Sequence, residues 1–254
     1  MKARLPNFFS YKSAKDLIRI GKKNDGGYLV SKSDVEKSDI LISLGISDDW
    51  SFEEDFQKIK EVKIFAYDGS VSKKIFLKKI FYFILRLKFK RAMSAVKTFY
   101  SFYSFFKKKN NNFTKKFVGF DGVNKNRGHI SLENVLNKNQ EKNLFLKIDI
   151  EGSEYRILST LLSMQKNISG LVIEFHDSDL HLEIIDNFIK NLNLKLVHIH
   201  ANNFCGITTD KNIPIVLELT FSRYSELLDQ TVLPHDLDMP NDKGSSEIEL
   251  TLDN

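Results

Sequence analysis

From residue 39 onward, short apolar runs alternate with segments in which apolar residues recur every three to four positions. Apolar runs without polar alternation are typical of strands buried on both faces, and the recurring pattern is typical of amphipathic helices. Strands that alternate with helices favour βα units and a largely parallel sheet. The predicted strands are residues 40–45, 63–68, 117–121, 144–150 and 171–175; the predicted helices begin near residue 49 and cover residues 131–137, 154–164 and 179–191.

The pattern changes after residue 191. Residues 194–200 and 214–221 both have strand character, but the loop of about thirteen residues between them lacks a helical period. Parallel neighbours need a longer, usually helical crossover, so we expect these two strands to be antiparallel. We therefore predict a doubly wound, Rossmann-like α/β sheet of seven mostly parallel strands whose last strand is antiparallel. A polar tail follows, with an edge strand at residues 247–252.

Length and composition narrow the class of protein. A chain of 254 residues can bury roughly three-quarters of its unfolded surface in one core. Cys205 is the only cysteine, which excludes an internal disulfide and metal sites built from several thiolates. The N-terminus lacks the apolar core of a signal peptide, and no uncharged run approaches the roughly twenty residues that span a bilayer. We expect a single domain over residues 1–254, located in a reducing cytoplasm.

The charge of the chain is unevenly distributed. The formal net charge is +5, yet residues 69–120 contain no Asp or Glu, and residues 73–116 contain 14 of the 38 Lys and Arg residues. The rest of the chain contains 24 basic and 33 acidic residues, which gives it a net charge of −9. The basic residues thus belong to an insertion of about residues 70–116, which is far longer than an ordinary connection between two strands.

Basic, aromatic and aliphatic residues are interleaved in this insertion, and its first half has a helical period. Three interpretations are open. The insertion can be a helical cap or dimer contact whose lysines are solvated, or a helical segment over residues 72–116 that lies at the inner face of a membrane. It can also be a surface that stacks the bases of single-stranded nucleic acid. Nucleic acid is the least favoured because the basic residues are confined to one segment.

Ionisable residues follow two of the predicted strands directly. Asp149 and Glu151 come at the end of the fourth strand, and Glu174 and His176 at the end of the fifth. Buried charges cost several kcal/mol unless they are paired, hydrated or bound to a ligand. Ligands of open α/β sheets bind at the carboxyl ends of the strands. Any one of these residues can instead cap the following helix, but the whole cluster favours a binding crevice.

A second pair of residues predicts the binding of a cofactor. Gly45 ends the first strand, and Asp68 ends the second strand 23 positions later. An acidic residue at this spacing suits the two hydroxyls of a ribose. The turn has one glycine where a dinucleotide fingerprint has three, so a cofactor without phosphate, such as S-adenosylmethionine, fits better. Asp121, at the end of the third strand, either accepts from an adenine amino group or makes a turn with Gly122.

Further polar residues are expected at the rim of the crevice. Asp25 and Tyr28 flank two glycines that permit a tight loop over a cofactor or acceptor. His200 ends the sixth strand, and Asn202 and Asn203 follow it. We predict that Asp25, Tyr28, Glu151, Asn202 and Asn203 contact the acceptor.

Four segments of the chain carry a family resemblance: NDGGYLV (24–30), LISLGISDDWSFEEDF (41–56), AYDGS (66–70) and, most specifically, LKIDIEGSEY (146–155). Together they resemble the FkbM-type family of methyltransferases. The resemblance implies a class I methyltransferase fold, S-adenosylmethionine as the methyl donor, and O-methylation of sugars or secondary metabolites. It implies that Gly45 and Asp68 lie at the cofactor, and that Asp149 lies where donor and acceptor meet.

Methylation of a sugar hydroxyl requires a group that removes or weakens the hydroxyl's proton. A positioned base or a divalent ion can do so. We predict Asp149, His176 and His200 as catalytic residues, with Asp149 and His176 as ligands of Mg²⁺ or Mn²⁺ if an ion takes part. The expected function is O-methylation of a sugar or glycan-type acceptor, free or carried on a lipid, in surface polysaccharide biosynthesis. The alternatives are an RNA methyltransferase and a non-catalytic module attached to a membrane.

Overall fold

The computed structural model describes residues 1–119 and 128–253. Thirteen strands lie in these residues: β1 Lys2–Leu5, β2 Leu17–Gly21, β3 Gly27–Ser31, β4 Ile40–Leu44, β5 Lys63–Tyr67, β6 Asn111–Thr114, β7 Phe117–Gly119, β8 His129–Ser131, β9 Leu144–Ile148, β10 Ile168–Phe175, β11 Lys195–Ala201, β12 Leu217–Ser222 and β13 Glu249–Leu252. The α-helices of the same residues are α1 Lys32–Lys37, α2 Ser51–Ile59, α3 Lys73–Leu85, α4 Phe89–Phe106, α5 Leu132–Asn137, α6 Leu158–Ser163 and α7 Leu182–Asn191.

Seven strands form the central sheet in the order β11-β12-β10-β9-β4-β5-β6. The strand pairs β4–β5, β5–β6, β4–β9 and β9–β10 are parallel, whereas β12 is antiparallel to both β10 and β11. Every residue of β4, β9 and β10 is buried, as their uninterrupted apolar sequences predict. The mostly parallel sheet with one antiparallel strand is therefore confirmed.

The third strand of the central sheet differs from the prediction. It is β6, Asn111–Thr114, and not the segment at residues 117–121. β7 instead pairs with β8 in a separate two-stranded sheet. An edge strand contacts a neighbour on one side only, so its sequence does not need an apolar pattern, and the NNFT sequence of β6 carried no strand signal. The predicted end of that segment, including Asp121, lies outside the described residues.

Helices cover both faces of the sheet. One face packs against α5, α6 and α7, and its apolar cluster includes Leu132, Leu161 and Phe188. The other face packs against α1, α2 and the base of the α3–α4 pair, and its cluster includes Phe56 and Phe102. The sheet is thus doubly wound, as predicted.

Local sequence explains where α2 begins and which way it faces. The Asp49 carboxylate accepts a hydrogen bond from the Ser51 N–H at 3.0 Å, and Glu53 and Glu54 lie in the first turn, where they complement the helix dipole. Phe52 and Phe56, four positions apart, are buried on the side that faces the sheet. The helix therefore fixes the loop that leaves β4.

The insertion folds as a helical hairpin made of α3 and α4. Rings of its base pack in the apolar cluster: Phe102 lies 5.4 Å from Trp50 and 5.3 Å from Phe76, centroid to centroid. Within residues 1–119 and 128–253, no helix is long and apolar enough to cross a membrane. The predicted strand in the tail is also present, since β13 pairs in parallel with β1.

Candidate functional site

A cavity of about 170 Å³ opens at the carboxyl ends of β4, β5 and β9. Both the Gly45 turn and the end of β9 line it. The cavity therefore lies where the residues predicted to bind the cofactor meet the ionisable residues predicted to form the crevice. The location agrees with the rule that open α/β sheets bind ligands beyond the carboxyl ends of their strands. Residues that line it include Gly45, Ser47, Asp68, Ser70, Phe117 and Asp149.

Gly45 is required by both its conformation and its surroundings. Its φ is +77°, and a Cβ at this position would lie 1.6 Å from the carbonyl oxygen of Asp149. Only glycine lets these two segments of the backbone come this close. Gly45 therefore brings the loop after β4 against the end of β9.

Asp68 organises the loop that follows Gly45. Its Oδ2 accepts the N–H groups of Ile46 at 3.1 Å and Ser47 at 2.8 Å, and its Oδ1 accepts the Ser70 N–H at 2.7 Å and the Ser70 hydroxyl at 2.6 Å. A carboxylate has about four acceptor sites, so all are used here. Three donors are backbone groups, whereas the Ser70 hydroxyl is free to rotate. The Ser70 hydroxyl is therefore the donor at Asp68 that a ligand hydroxyl can replace.

The walls of the cavity suit the rest of a nucleoside. Phe117 is half-exposed and its ring lies against Gly69, where a Cβ would come within 2.3 Å of the ring. Phe117 and Val118 thereby give the cavity an apolar wall beside the polar Asp68. A flat purine can pack on such an aromatic ring.

The ends of β9 and β10 bring together the ionisable residues that were predicted to form the crevice. The Nε2 atom of His176 lies 3.9 Å from Oδ1 of Asp149 and 3.6 Å from Oε2 of Glu151. Its Nδ1 atom lies 3.1 Å from the buried Oε1 of Glu154. Glu154 thus fixes the ring so that Nε2 faces the two carboxylates.

Backbone geometry also holds this group in place. Glu151 has a φ of +54°, an uncommon value for a residue with a side chain, and Gly152 follows with +87°. The Glu154 carboxylate accepts the Ile150 N–H at 3.0 Å, and the Tyr155 hydroxyl donates to the His176 carbonyl at 2.6 Å. The tight turn directs the exposed Glu151 side chain toward His176.

Tyr28 connects Asp149 to Glu174. Its hydroxyl lies 3.3 Å from Oδ2 of Asp149 and 3.0 Å from Oε2 of Glu174, while the Asn202 amide donates to Oε1 of Glu174 at 2.8 Å. One hydroxyl proton can serve only one of the two carboxylates. The second contact is satisfied when Glu174 is protonated and donates to the Tyr28 oxygen, while Tyr28 donates to Asp149.

The charges in this group shift one another's pKa values. Burial, together with the charges of Asp149 and Glu218, raises the pKa of Glu174 to about 8, which supports a protonated Glu174 at neutral pH. Burial also raises the pKa of Asp149, although the cations of Lys147 and His176 oppose it. Burial lowers the pKa of His176, but the Glu154 carboxylate and its neighbours outweigh this effect and raise it to about 9.

Lys147 and Glu154 belong to the site but were missed by sequence reasoning. The Lys147 ammonium donates to the Gly45 carbonyl at 2.7 Å and lies 4.0 Å from Asp149. Its signal was available, because Lys147 is the one charged residue in the otherwise apolar, fully buried strand β9. Glu154 carried no such signal, since a glutamate at the start of a predicted helix is commonly exposed.

Other predicted residues lie apart from this group. The Nδ1 atom of His200 lies 3.0 Å from the Glu218 carboxylate, and its Nε2 atom lies 3.0 Å from the Glu247 carboxylate. Asn203 binds the backbone of Asp242 and holds the C-terminal segment. Asp25 is exposed in the turn between β2 and β3. The structure therefore joins Tyr28, Glu151 and Asn202 to Asp149 and His176, and it places His200, Asn203 and Asp25 in other contacts.

Asp149, Glu151 and His176 also form a candidate cation site. Each offers one ligand atom, and these three atoms lie within 4.8 Å of one another. Two carboxylate oxygens and one imidazole suit Mn²⁺ or Mg²⁺. The Glu154 carboxylate behind the ring is the outer contact that metal-binding histidines usually have. The pair predicted from sequence, Asp149 and His176, thus gains Glu151 as a third candidate ligand.

Comparison with known proteins gives one family. The model of the family described as "Methyltransferase FkbM domain" matches residues 35–196, well over half of the chain. A search of curated proteins gives no match.

Several solved structures are similar at low sequence identity. A precorrin-6y C5,15-methyltransferase from Geobacter metallireducens is 10% identical, with 76% of this chain and 86% of that chain covered and a TM-score of 0.42. An rRNA methylase from Streptococcus thermophilus is 9% identical, with 75% and 93% covered and a TM-score of 0.37. M. jannaschii TYW2 in complex with AdoMet is 8% identical, with 76% and 74% covered and a TM-score of 0.38.

Proposed function

Because this chain belongs to the FkbM methyltransferase family, we propose that it transfers the methyl group of S-adenosylmethionine to a hydroxyl oxygen of a sugar or other polar glycan-type acceptor. The observation that carries the proposal is the contact between the two halves of the crevice. The Gly45 turn, beside Asp68, touches the backbone of Asp149, whose side chain belongs to the polar group with Tyr28 and His176. A donor held on one side would therefore meet an acceptor held on the other.

The donor side fits S-adenosylmethionine in three respects. Asp68 can accept a ribose hydroxyl in place of Ser70, Phe117 offers a face for the adenine, and the close approach at Gly45 leaves the loop backbone lining the cavity. When bound, the cofactor supplies an electrophilic methyl group on a positively charged sulfur. The carboxylates of Asp149 and Glu151 favour that positive charge by simple Coulomb attraction.

The acceptor side fits a neutral polyol better than a phosphodiester. Asp149 and Glu151 offer acceptor oxygens to hydroxyl groups, and Glu174 adds a third carboxyl group close by. The negative charges of Asp149 and Glu151 repel phosphates. Lys116 lines the cavity and Lys147 lies beside Asp149, but nine of the fourteen basic residues of the insertion lie on the helical hairpin, residues 73–106. An RNA acceptor is therefore the weaker alternative.

Asp149 is the proposed proton acceptor for the hydroxyl that is methylated. Burial raises the pKa of Asp149, which makes its carboxylate a better base than an ordinary aspartate. His176 has a pKa of about 9 and is positively charged at neutral pH, so it acts as a charge partner of Asp149 instead of a base. His200 is held by Glu218 and Glu247, and we propose no direct role for it in proton transfer.

We further propose that a divalent cation, Mn²⁺ or Mg²⁺, can bind to Asp149, Glu151 and His176 by displacing the Nε2 proton that His176 carries in the absence of the ion. The supporting observation is the orientation of the ring, whose Nδ1 faces Glu154 while Nε2 faces the two carboxylates. A cation held there would lower the pKa of an acceptor hydroxyl bound to it. Titration of Mn²⁺ by electron paramagnetic resonance tests this site directly. Binding in the wild type and its loss in Glu151→Gln and His176→Gln are expected; unchanged binding in both variants would contradict it.

Calorimetry with S-adenosylmethionine tests the donor half of the proposal. We expect binding to the wild type and at least a tenfold loss in Asp68→Ala, because the carboxylate both meets the ribose and holds the Ser47 loop. Asp39→Ala is the matched control, since Asp39 also accepts a backbone N–H but lies at the opposite end of the sheet. No heat of binding with the wild type, or equal binding by Asp68→Ala, would contradict the assignment of the donor site.

Mass spectrometry of glycans tests the biological acceptor. If the enzyme acts in surface polysaccharide biosynthesis, a strain that lacks it should produce glycans short of one methyl group. Complementation with the wild-type gene should restore the group, and complementation with an Asp149→Asn variant should not. Unchanged glycans together with undermethylated RNA would favour the alternative acceptor.

A further inference from the structure

The helical hairpin, residues 73–106, has a packed base and a solvent-exposed end. At the base, Phe76, Phe102 and Phe105 are buried in the apolar cluster of the sheet. At the other end, residues 84–91 comprise the last two residues of α3, the connection and the first three residues of α4, and all eight of them are exposed. We call residues 84–91 the hairpin tip. The base accounts for the hairpin's stability, and it leaves the tip without a role in the fold.

The hairpin tip exposes large apolar side chains in unusual density. Leu85, Leu87 and Phe89 are 68%, 74% and 60% exposed. Phe81 and Met93, one helical turn before and after, are exposed to a similar degree. Single exposed apolar residues are ordinary, but a contiguous group of this kind marks a surface that another body covers.

Positive charge is interleaved with these apolar side chains. Arg86, Lys88, Lys90 and Arg91 alternate with them in the sequence ILRLKFKR. In the part of the chain that the structure describes, Lys79 is the hairpin cation that has a carboxylate partner, Asp48. The four cations of the tip have no carboxylate partner there. A partner that complements this surface is both apolar and negatively charged.

We propose that the hairpin tip inserts into the surface of a membrane that contains anionic lipids. Apolar side chains that enter the acyl boundary, with basic residues at the level of the headgroups, are the features of an interfacial helical segment. A second copy of this chain would bring the four tip cations of each copy together and is disfavoured by their repulsion. Single-stranded nucleic acid would use rings for stacking, and the tip offers mainly Leu and Ile beside one Phe.

The position of the hairpin relates this surface to the crevice. α3 begins three residues after Ser70, which contacts Asp68, and Lys79 of α3 pairs with Asp48 in the loop beyond Gly45. A docked hairpin would thus hold the crevice about one helix length from the bilayer, roughly 20 Å for the 13 residues of α3, on the side where a lipid-linked glycan is presented. This last point rests on the proposed function, whereas docking itself does not depend on it.

Vesicle flotation of the purified full-length protein tests the proposal without any methyl acceptor. We expect the protein to float with vesicles of phosphatidylcholine and phosphatidylglycerol in a three-to-one ratio, and not with phosphatidylcholine alone. Binding should weaken as salt is raised above about 0.15 M, because surface charges are screened. Equal flotation with both kinds of vesicle, or with neither, would overturn the proposal and would leave the proposed methyl transfer untouched.

Two sets of variants separate the apolar from the basic contribution. Replacing three cations, Lys88→Gln, Lys90→Gln and Arg91→Gln, should weaken binding about a hundredfold, at about fivefold for each basic residue near an anionic surface. Replacing Leu85 and Leu87 with Ser should abolish flotation although the charge is unchanged. Flotation of both sets at the wild-type level would overturn the proposal.

Matched controls exist elsewhere on the surface. Leu180→Ser with Phe204→Ser removes two apolar side chains that are 72% and 75% exposed, and Lys138→Gln, Lys142→Gln and Lys211→Gln removes three exposed cations. Both control proteins should float as the wild type does. Sedimentation velocity tests whether the partner is instead a second copy of this chain. A wild-type dimer that becomes monomeric in the Leu85→Ser, Leu87→Ser variant, together with no vesicle binding, would assign the tip to self-association and overturn the proposal.

Discussion

The substitution Gly45→Ala tests the close approach that joins the two halves of the crevice. A Cβ at Gly45 would lie 1.6 Å from the Asp149 carbonyl oxygen, and carbon and oxygen atoms in this kind of contact are separated by at least 3.0 Å, so the chains must part by about 1.4 Å. The Gly45 N–H donates to Tyr67 and the Asp149 N–H to Leu44, both at 2.9 Å. Both bonds are expected to break or weaken.

The magnitude follows from three contributions. Each lost backbone hydrogen bond costs about 1 kcal/mol. The left-handed conformation at φ +77° costs an alanine roughly 1–2 kcal/mol. The stiffer unfolded chain of the variant returns about 0.4–1 kcal/mol. We therefore expect the free energy of unfolding to fall by about 3 kcal/mol, with weaker binding of S-adenosylmethionine.

Urea unfolding followed by the fluorescence of Trp50, the single tryptophan, measures this loss. Gly206→Ala is the matched control, since Gly206 has a φ of +76° but no atom within 4 Å of a Cβ. The control should lose about 1 kcal/mol, the conformational cost less the gain in the unfolded chain. If Gly45→Ala is no less stable than Gly206→Ala, the close contact between Gly45 and the Asp149 carbonyl is contradicted.

Two further predictions concern Asp68 and His200. Ser70→Ala frees one acceptor site on Asp68, so binding of S-adenosylmethionine in calorimetry should be unchanged or up to about tenfold tighter, and a tenfold loss would contradict replacement of the Ser70 hydroxyl by the ribose. Burial lowers the pKa of His200, but Glu218 and Glu247 outweigh it and raise the pKa from 6.5 to about 10. The protonated ring therefore stabilises the fold fully below pH 6.5, and this stabilisation is lost as the pH rises through about 10. In urea unfolding, the free energy of unfolding of the wild type should decline between these pH values, and the decline should be smaller by a few kcal/mol in His200→Gln. An equal decline in the two proteins would contradict a stabilising role of the protonated ring.

The sequence predicted the parts of the fold that depend on burial. β4, β9 and β10 are buried on both faces, so their apolar runs identify them directly. The antiparallel pair β11–β12 followed from the absence of a helical crossover. β6 was missed because an edge strand with the sequence NNFT is held by its neighbours and not by its own composition.

The candidate site was predictable where a strand ends in a charged residue, and less so elsewhere. Asp149 and His176 have this signal, and the structure brings them to 3.9 Å. Glu154 is fully buried, a fact that depends on the turn at Glu151 and Gly152 and not on a local pattern. His200 carries the same signal as His176, but its neighbours Glu218 and Glu247 come from distant parts of the chain that strand parity does not identify.

Transfer of a labelled methyl group tests the central claim most directly. The purified protein is incubated with S-adenosylmethionine that carries a radioactive methyl group, together with extracted glycans or with RNA, and label in each fraction is counted. The account predicts that glycans become labelled and that Asp149→Asn lowers the rate by about 10²–10⁴-fold while calorimetry still detects the bound donor. Label in RNA alone, or a wild-type rate in Asp149→Asn, would contradict it.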